Sequence, residues 1–427
     1  MRLGGRCAAA AEVLADIAGR RRPATEALKD WGSSRRFAGS ADRSIIGNLV
    51  FDVLRRRASL AWRLGDDAPQ ALVAGALLAD WGMDEAALVA AFAADLHAPP
   101  VPQAALAHWR TADPEAAPQA VQADVPEWCI GELAAEFGDG WLGEARAFAE
   151  RPPLDLRVNT LKCSLDKALK QLARLGARAG GCAPTAIRFP APVRDGRLPN
   201  IQAEPSFAKG WVEIQDEGSQ LAAIAVGARG GEQVLDYCAG GGGKALALAA
   251  IMGNRGQVHA HDADYRRLAP IHERLRRAGA RNVQVHDPRG DGLVALAGRM
   301  DRVLVDAPCT GSGTWRRRPD AKWRIEPAQL AARLAEQDAV LDAAAPFVRP
   351  GGTLVYVTCS VFAAENRARS DAFLDRNRAF APAHAIPELA ALCNDAQFRS
   401  ANGYSVGLSP LRTATDGFFV AVMKRNA

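Results

Sequence analysis

From about residue 233 onward, short apolar runs alternate with helical stretches, and this alternation restricts the fold more than any other feature of the chain. Gln233–Cys238, Gln257–His261, Asn282–His286, Arg302–Asp306 and Thr353–Thr358 read as strands. Tyr265–Ala278 and Pro327–Ala345, lying between them, read as helices. Strands that alternate with helices predict an α/β domain with a parallel, doubly wound sheet. A last strand, Phe418–Lys424, follows Asp416-Gly417. In open sheets of this kind ligands bind beyond the carboxyl ends of the strands. The residues that leave these strands are therefore the first candidates for a site.

The first strand runs into Cys238-Ala239-Gly240-Gly241-Gly242-Gly243-Lys244. Glycines let backbone approach a ligand closely, and the helix N-terminus that follows favours negative charge. The run lacks the early Gly and the Ser or Thr after Lys244 that a Walker loop needs. Asp262 ends the second strand, where an acid can hydrogen-bond a ribose. Asp287 follows the third, where it could read an adenine amino group. Loop, Asp262 and Asp287 at three successive strand ends predict a nucleoside cofactor, and leave NAD and S-adenosylmethionine both open.

At 427 residues the chain should hold two or three domains. Its apolar fraction of 48% and charged fraction of 24% are those of an ordinary folded protein. No run approaches the roughly 18 apolar residues of a membrane span. Glu12 and Asp16 interrupt the one apolar stretch near the start, against a signal or transit peptide. The eight cysteines form no C-x-x-C pair, so no structural metal is expected. The thiols are expected to be reduced, and Cys7, Cys129, Cys163, Cys182 and Cys393 to act as small apolar fillers.

Residues 1–150 read as a helical region and linker. Ala8–Ile17, the Ile45–Leu54 stretch, Ala71–Leu78, Glu85–Leu96 and Glu127–Phe137 carry helical spacing, and five prolines fall between 99 and 118. Residues 1–60 hold twelve Arg and Lys, residues 61–150 are acidic, and residues 151–230 turn basic again. Such blocks fit an RNA or DNA partner, and equally fit solvated helix faces. Residues 151–230 read as a small α+β module, with strands at Leu156–Asn159, Ala186–Pro190 and Trp211–Gln215 and a helix at Ser164–Leu175. Residues 231–427 form the doubly wound domain.

Asp306-Ala307-Pro308-Cys309-Thr310-Gly311 leaves the fourth strand, and Thr358-Cys359-Ser360, with Glu365-Asn366 beyond, leaves the fifth. Together with Arg157-Val158-Asn159-Thr160, Gln215-Asp216-Glu217-Gly218-Ser219 and Asp416-Gly417-Phe418-Phe419, these motifs resemble the RsmB/Sun family of RNA cytosine-5 methyltransferases over about residues 155–427. The resemblance implies a Rossmann-like methyltransferase domain and S-adenosylmethionine as cofactor. Cys359 would be the nucleophile, Cys309 would assist product release, and Asp306 and Lys244 would face the base. Cofactor contacts would come from Cys238 through Lys244, Asp262, Asp287 and Asp306. Adding a thiolate to carbon 6 of cytosine makes carbon 5 nucleophilic, which divides a hard step into two easier ones. Arg316, Arg317, Arg318 and Lys322, interleaved with Trp315 and Trp323, would meet RNA phosphates and bases.

The loop departs from the family's Cys-Ala-Ala-Pro-Gly-Gly-Lys at Gly240 and Gly241, which bears on cofactor affinity. Ala364 replaces one acid of the pair before Asn366. The N-terminal residues resemble the NusB-like helical RNA-binding domain, through their helices, basic clusters and Arg43-Ser44-Ile45-Ile46-Gly47-Asn48-Leu49-Val50. The expected protein is a monomeric cytoplasmic rRNA methyltransferase, small-subunit rRNA being its substrate, with no membrane or metal. A tRNA substrate, a non-catalytic RNA-binding assembly factor and a dinucleotide oxidoreductase are the rival readings.

Overall fold

The computed structural model describes residues 1–383, 389, 392 and 403–427. Its contacts divide the chain into two compact units. One holds Met1–Pro152 with two later segments, Ala191–Leu198 and Thr314–Ile325; the other holds Pro153–Pro190, Pro199–Gly313 and Glu326–Ala427.

The first unit is helical. Leu3–Arg20 buries Cys7, Ala10, Ala11, Leu14 and Ile17, spaced three and four apart, which lays one apolar stripe along its length. Ser40–Arg55 answers with Ile45, Ile46, Leu49, Val50 and Val53, and Pro69–Ala79 with Leu72, Val73, Ala76 and Leu77. Small alanines at many of these contacts allow close helix approach. Asp84 caps Glu85–Ala93 by accepting from the Ala87 N–H, which supplies one of the bonds a helix start otherwise lacks. Among the described residues no helix is long and apolar enough to cross a membrane.

The second unit contains two sheets. In the smaller, β1 (Leu154–Val158), β2 (Arg178–Ala179), β3 (Ala186–Phe189) and β4 (Val212–Ile214) lie antiparallel in the order β2-β3-β1-β4. The helix Leu165–Leu172, capped by Ser164, covers it with Ala168 and Leu172. Asn159, just past β1, donates to Gly210 O and Ala278 O, so this motif residue fastens β1 to the helix Ile271–Ala278 beside the larger sheet.

The larger sheet comprises β5 (Gln233–Asp236), β6 (Gln257–Ala260), β7 (Val283–Val285), β8 (Met300–Asp306), β9 (Val348–Thr358), β10 (Phe380–Pro382), β11 (Ser405–Leu408) and β12 (Phe418–Arg425). Its order is β10-β12-β9-β8-β5-β6-β7, with β11 on β12. The five strands from β9 to β7 are parallel, and the β12 side is antiparallel. The expected doubly wound, Rossmann-like domain is thus present, with an antiparallel edge. Chain order reverses at β5, whose neighbours are β6 and β8. That switch point is where such sheets open a crevice.

The single helix expected over Tyr265–Ala278 is two, Tyr265–Leu268 and Ile271–Ala278. Pro270 between them has no N–H to continue the ladder.

Candidate active site

The site begins where β5 ends. Asp236 is fully buried, and neither carboxylate oxygen makes a well-formed hydrogen bond. Burial, with Asp306 adding to it, pushes its carboxyl up to about 8. The loop beyond is pinned from several sides. Ala239 N–H donates to His261 O at 2.7 Å, and Gly240 N–H to Asp262 Oδ2 at 2.9 Å. Arg274, itself paired with Glu213 of β4, donates to Gly241 O at 2.6 Å. Gly242 sits at φ +80°, and a Cβ there would lie 2.4 Å from Ile271 Cγ1. The loop therefore needs glycine at this position both for its backbone angle and for space. At Gly240–Gly241 the Asp262 and Arg274 contacts hold backbone that carries no stiffening side chain.

Asp262 is buried two residues past β6, and its other oxygen accepts from Asp264 N–H. Asp287 is exposed and folds onto Arg289, whose hydrogen bonds pull its carboxyl down to about 2. Cys238 is half-buried, and burial followed by repulsion from Asp236 pushes its thiol well up, leaving it an unreactive wall of the loop. The loop glycines, Asp262 and the buried Asp236 are gathered at the switch point. They fit S-adenosylmethionine, whose ammonium, ribose hydroxyls and sulfonium would meet carboxylates and unstrained backbone.

Lys244 opens the helix Gly243–Ile251 and reaches Asp306 at the end of β8, Nζ to Oδ2 2.6 Å. Burial alone would lower its ammonium, but the Asp306 charge and hydrogen bond outweigh this and hold it above its ordinary value. Cys309 and Cys359 follow β8 and β9, and their sulfurs lie 3.4 Å apart. The hydrogen bond with Cys309 draws the Cys359 thiol below its usual range against burial, and the Lys244 ammonium adds to this. Cys309, bonded to Cys359 and buried, is pushed up. The contact itself is symmetric, and either sulfur could donate; the Lys244 ammonium is what biases Cys359 towards thiolate. That is the asymmetry of a nucleophile beside a proton donor.

The remaining motif residues brace these strand ends. Gly313 N–H donates to Cys359 O at 3.0 Å, and Gly417 N–H to Gly313 O at 2.8 Å. A Cβ on Gly313 would sit 2.1 Å from Gly417 O, which accounts for glycine there. Asp216 caps the helix Glu217–Ile224 and also accepts from Asp416 N–H.

Two expectations are corrected. Lys322 and Arg316 are 2% and 4% exposed, inside the helical unit. Lys322 donates to Arg55 O at 2.8 Å, and burial lowers its ammonium to about 8. Arg316 O accepts from Arg55 Nε, and Trp323 Nε1 donates to Leu54 O at 2.7 Å. This stretch anchors itself into helix Ser40–Arg55, so Arg316 and Lys322 are not available to phosphate. Arg318 is exposed and Arg317 half-buried. Cys182 is disulfide-bonded, not a reduced filler. Cys7, Cys129 and Cys163 are free and buried; Cys393 lies outside the described residues. Among the described residues no group of three or more His, Cys, Asp or Glu could hold a metal ion.

Asp236 had no functional reading as a sequence residue. Its signal was available, since an acid at the end of an otherwise apolar strand, just before a glycine run, is an expensive placement without a ligand.

Residues 223–424 match the family described as 16S rRNA methyltransferase RsmB/F, and residues 125–194 match the ferredoxin-like domain of RsmF/B-like methyltransferases. The ribosomal RNA small subunit methyltransferase B of an Enterobacter strain is 36% identical over 254 residues, 59% of this chain and 58% of that protein. The probable ribosomal RNA small subunit methyltransferase B of a Synechocystis strain is 32% identical over 311 residues, 71% of this chain and 67% of that protein. The match thus spans somewhat under two thirds of the Enterobacter relative's length. A methyltransferase homologue from Pyrococcus horikoshii has a similar structure, with TM-score 0.57 and 26% identity over 72% of this chain and 97% of that one. NSun6 from the same organism shares the fold, with TM-score 0.60 and 20% identity over 71% of this chain and 98% of that one. With its strand-end cysteines, glycine loop and two-sheet architecture accounted for, the chain belongs to the RsmB/F methyltransferase family.

Proposed function

We propose that this protein methylates carbon 5 of a cytosine in small-subunit rRNA, through a covalent adduct on Cys359. The observation that carries the reading is the pair of sulfurs 3.4 Å apart beside the Lys244–Asp306 ion pair. S-adenosyl-L-methionine is the cofactor of the family. Asp236, the loop from Cys238 to Gly243, Asp262 and Asp287 would hold it, and once bound it supplies an electrophilic methyl group.

Cys359 does the first work. Its thiolate adds to carbon 6 of the cytosine, and the electron pair displaced from the ring double bond makes carbon 5 the nucleophile. Asp306 accepts from the base's polar edge and relays a proton from the Lys244 ammonium to the ring, steadying charge that develops there. After methylation water takes the proton from carbon 5, the double bond re-forms and the Cys359–carbon bond breaks. Cys309, kept as a thiol, returns a proton to the departing sulfur. The base must be turned out of any helix to reach these groups. The reading carries with it a monomeric, cytoplasmic enzyme.

The test is incubation of naked small-subunit rRNA, assembled subunits and tRNA with the protein and labelled S-adenosylmethionine, followed by nucleoside analysis. Label in 5-methylcytidine from rRNA is the expected result, lost in Cys359→Ala with RNA binding retained. Label in tRNA alone would move the substrate. A Cys359→Ala variant with normal turnover would refute the nucleophile.

A further inference from the structure

Glu365 is fully buried seven residues past the end of β9, in a position no part of the proposed chemistry uses. Its carboxylate gathers donors from both cysteine loops. From the Cys309 side come the Thr310 N–H, at 2.8 Å, and the Thr310 hydroxyl. From the Cys359 side comes the Ser360 hydroxyl. Gln337, on the helix Pro327–Ala344, donates to Glu365 Oε1 at 3.0 Å and to Pro308 O at 2.9 Å. The acid is itself held, because Tyr356 OH donates to its carbonyl at 2.6 Å. Asn366 continues the brace, accepting from the Thr358 hydroxyl at 2.6 Å and donating to Ser360 O.

We propose that Glu365 is a positioning residue, whose carboxylate fastens the residues after Cys309 and Cys359 to one point and so holds the two thiols against each other. A carboxylate, with acceptor sites on two oxygens and no donor, serves all four converging donors at once. An amide in its place turns its NH2 towards the Thr310 and Ser360 hydroxyls, which must reverse from donating to accepting and so rearrange the bonds each makes within its own loop. The Glu365 charge opposes ionisation of both thiols. What the thiols do rests on the function proposed above; how they are spaced does not.

The spacing can therefore be read without RNA or cofactor. Phenylarsine oxide condenses with two adjacent thiols and releases water, so its affinity reports whether the sulfurs are aligned. The wild-type protein should bind one equivalent, and Cys309→Ser should abolish binding. Glu365→Gln should weaken binding by at least about tenfold, the scale on which misalignment of reacting groups is felt, with an intact thermal unfolding transition. Wild-type affinity in Glu365→Gln overturns the proposal. If that variant does not fold, Thr310→Val removes a single hydroxyl donor and decides alone: weaker binding supports the latch and wild-type binding overturns it. In turnover, Glu365→Gln should lower kcat with KM for RNA unchanged. Absence of methyl transfer in every variant, with the arsenical result as expected, would refute the proposed function and leave the latch standing.

Discussion

Replacing Asp236 by Asn should stabilise the protein while weakening cofactor binding. The carboxyl lies at about 8 in the folded chain against an ordinary 3.8. Below the ordinary value it is protonated folded or unfolded and costs nothing. As pH rises past it, the unfolded chain ionises and the folded one does not, so stability falls until the folded carboxyl also ionises near pH 8. At about 1.4 kcal/mol per pH unit the gap sets an upper bound of about 6 kcal/mol. Relaxation and water entry around a buried charge reduce this, and about 2–3 kcal/mol is the expected gain above pH 8. The assay is chemical denaturation of wild type and Asp236→Asn at about pH 4, 6 and 8. The stability difference should be near zero at the lowest pH and grow with each step. Calorimetry at neutral pH should show weaker S-adenosylmethionine binding by the variant. A pH-independent difference, or a variant less stable at the highest pH, would refute the reasoning that this acid is an unsatisfied group held for a ligand.

Lys244→Met should move the pH midpoint of Cys359 alkylation upward, because the ammonium helps hold the thiol down; an unmoved midpoint would separate the two residues. Gly242→Ala should cost at least about 1–2 kcal/mol for its left-handed backbone alone, displace Ile271, and lower S-adenosylmethionine affinity in a calorimeter. Lys322→Met should leave RNA affinity within about twofold while destabilising the chain by about 1–3 kcal/mol, since Arg55 O loses its donor; a large loss of RNA affinity with unchanged stability would return Lys322 to the interface.

The parallel sheet was legible because its signal is local: each strand is a short apolar run, and each exit carries glycine, acid or cysteine. The cofactor loop and both cysteines could be placed at one rim for the same reason, as strand ends in such a sheet converge. Pro270 also carried a local signal, and a continuous helix across it gave that signal too little weight. The charged stretch from Arg316 to Lys322 could not be read this way. Its basic residues look like a surface loop, and the groups that bury them, Arg55 O and the core around Leu54, lie more than two hundred residues earlier. Glu365 was visible as a motif residue, but its purpose depends on Thr310 and Gln337 arriving from other elements. Asp236 was read as a strand residue although an acid ending an apolar strand before a glycine run is a costly placement, and that local signal was given too little weight.

The central claim is that Cys359 attacks the base and Cys309 releases it. The direct measurement is a denaturing gel of the Cys309→Ala protein incubated with S-adenosylmethionine and unmodified small-subunit rRNA. A retarded protein–RNA band that vanishes in the Cys309/Cys359 double variant is the predicted result. A band that persists when Cys359 is also removed, or free 5-methylcytidine formed by the double variant at the wild-type rate, would contradict it.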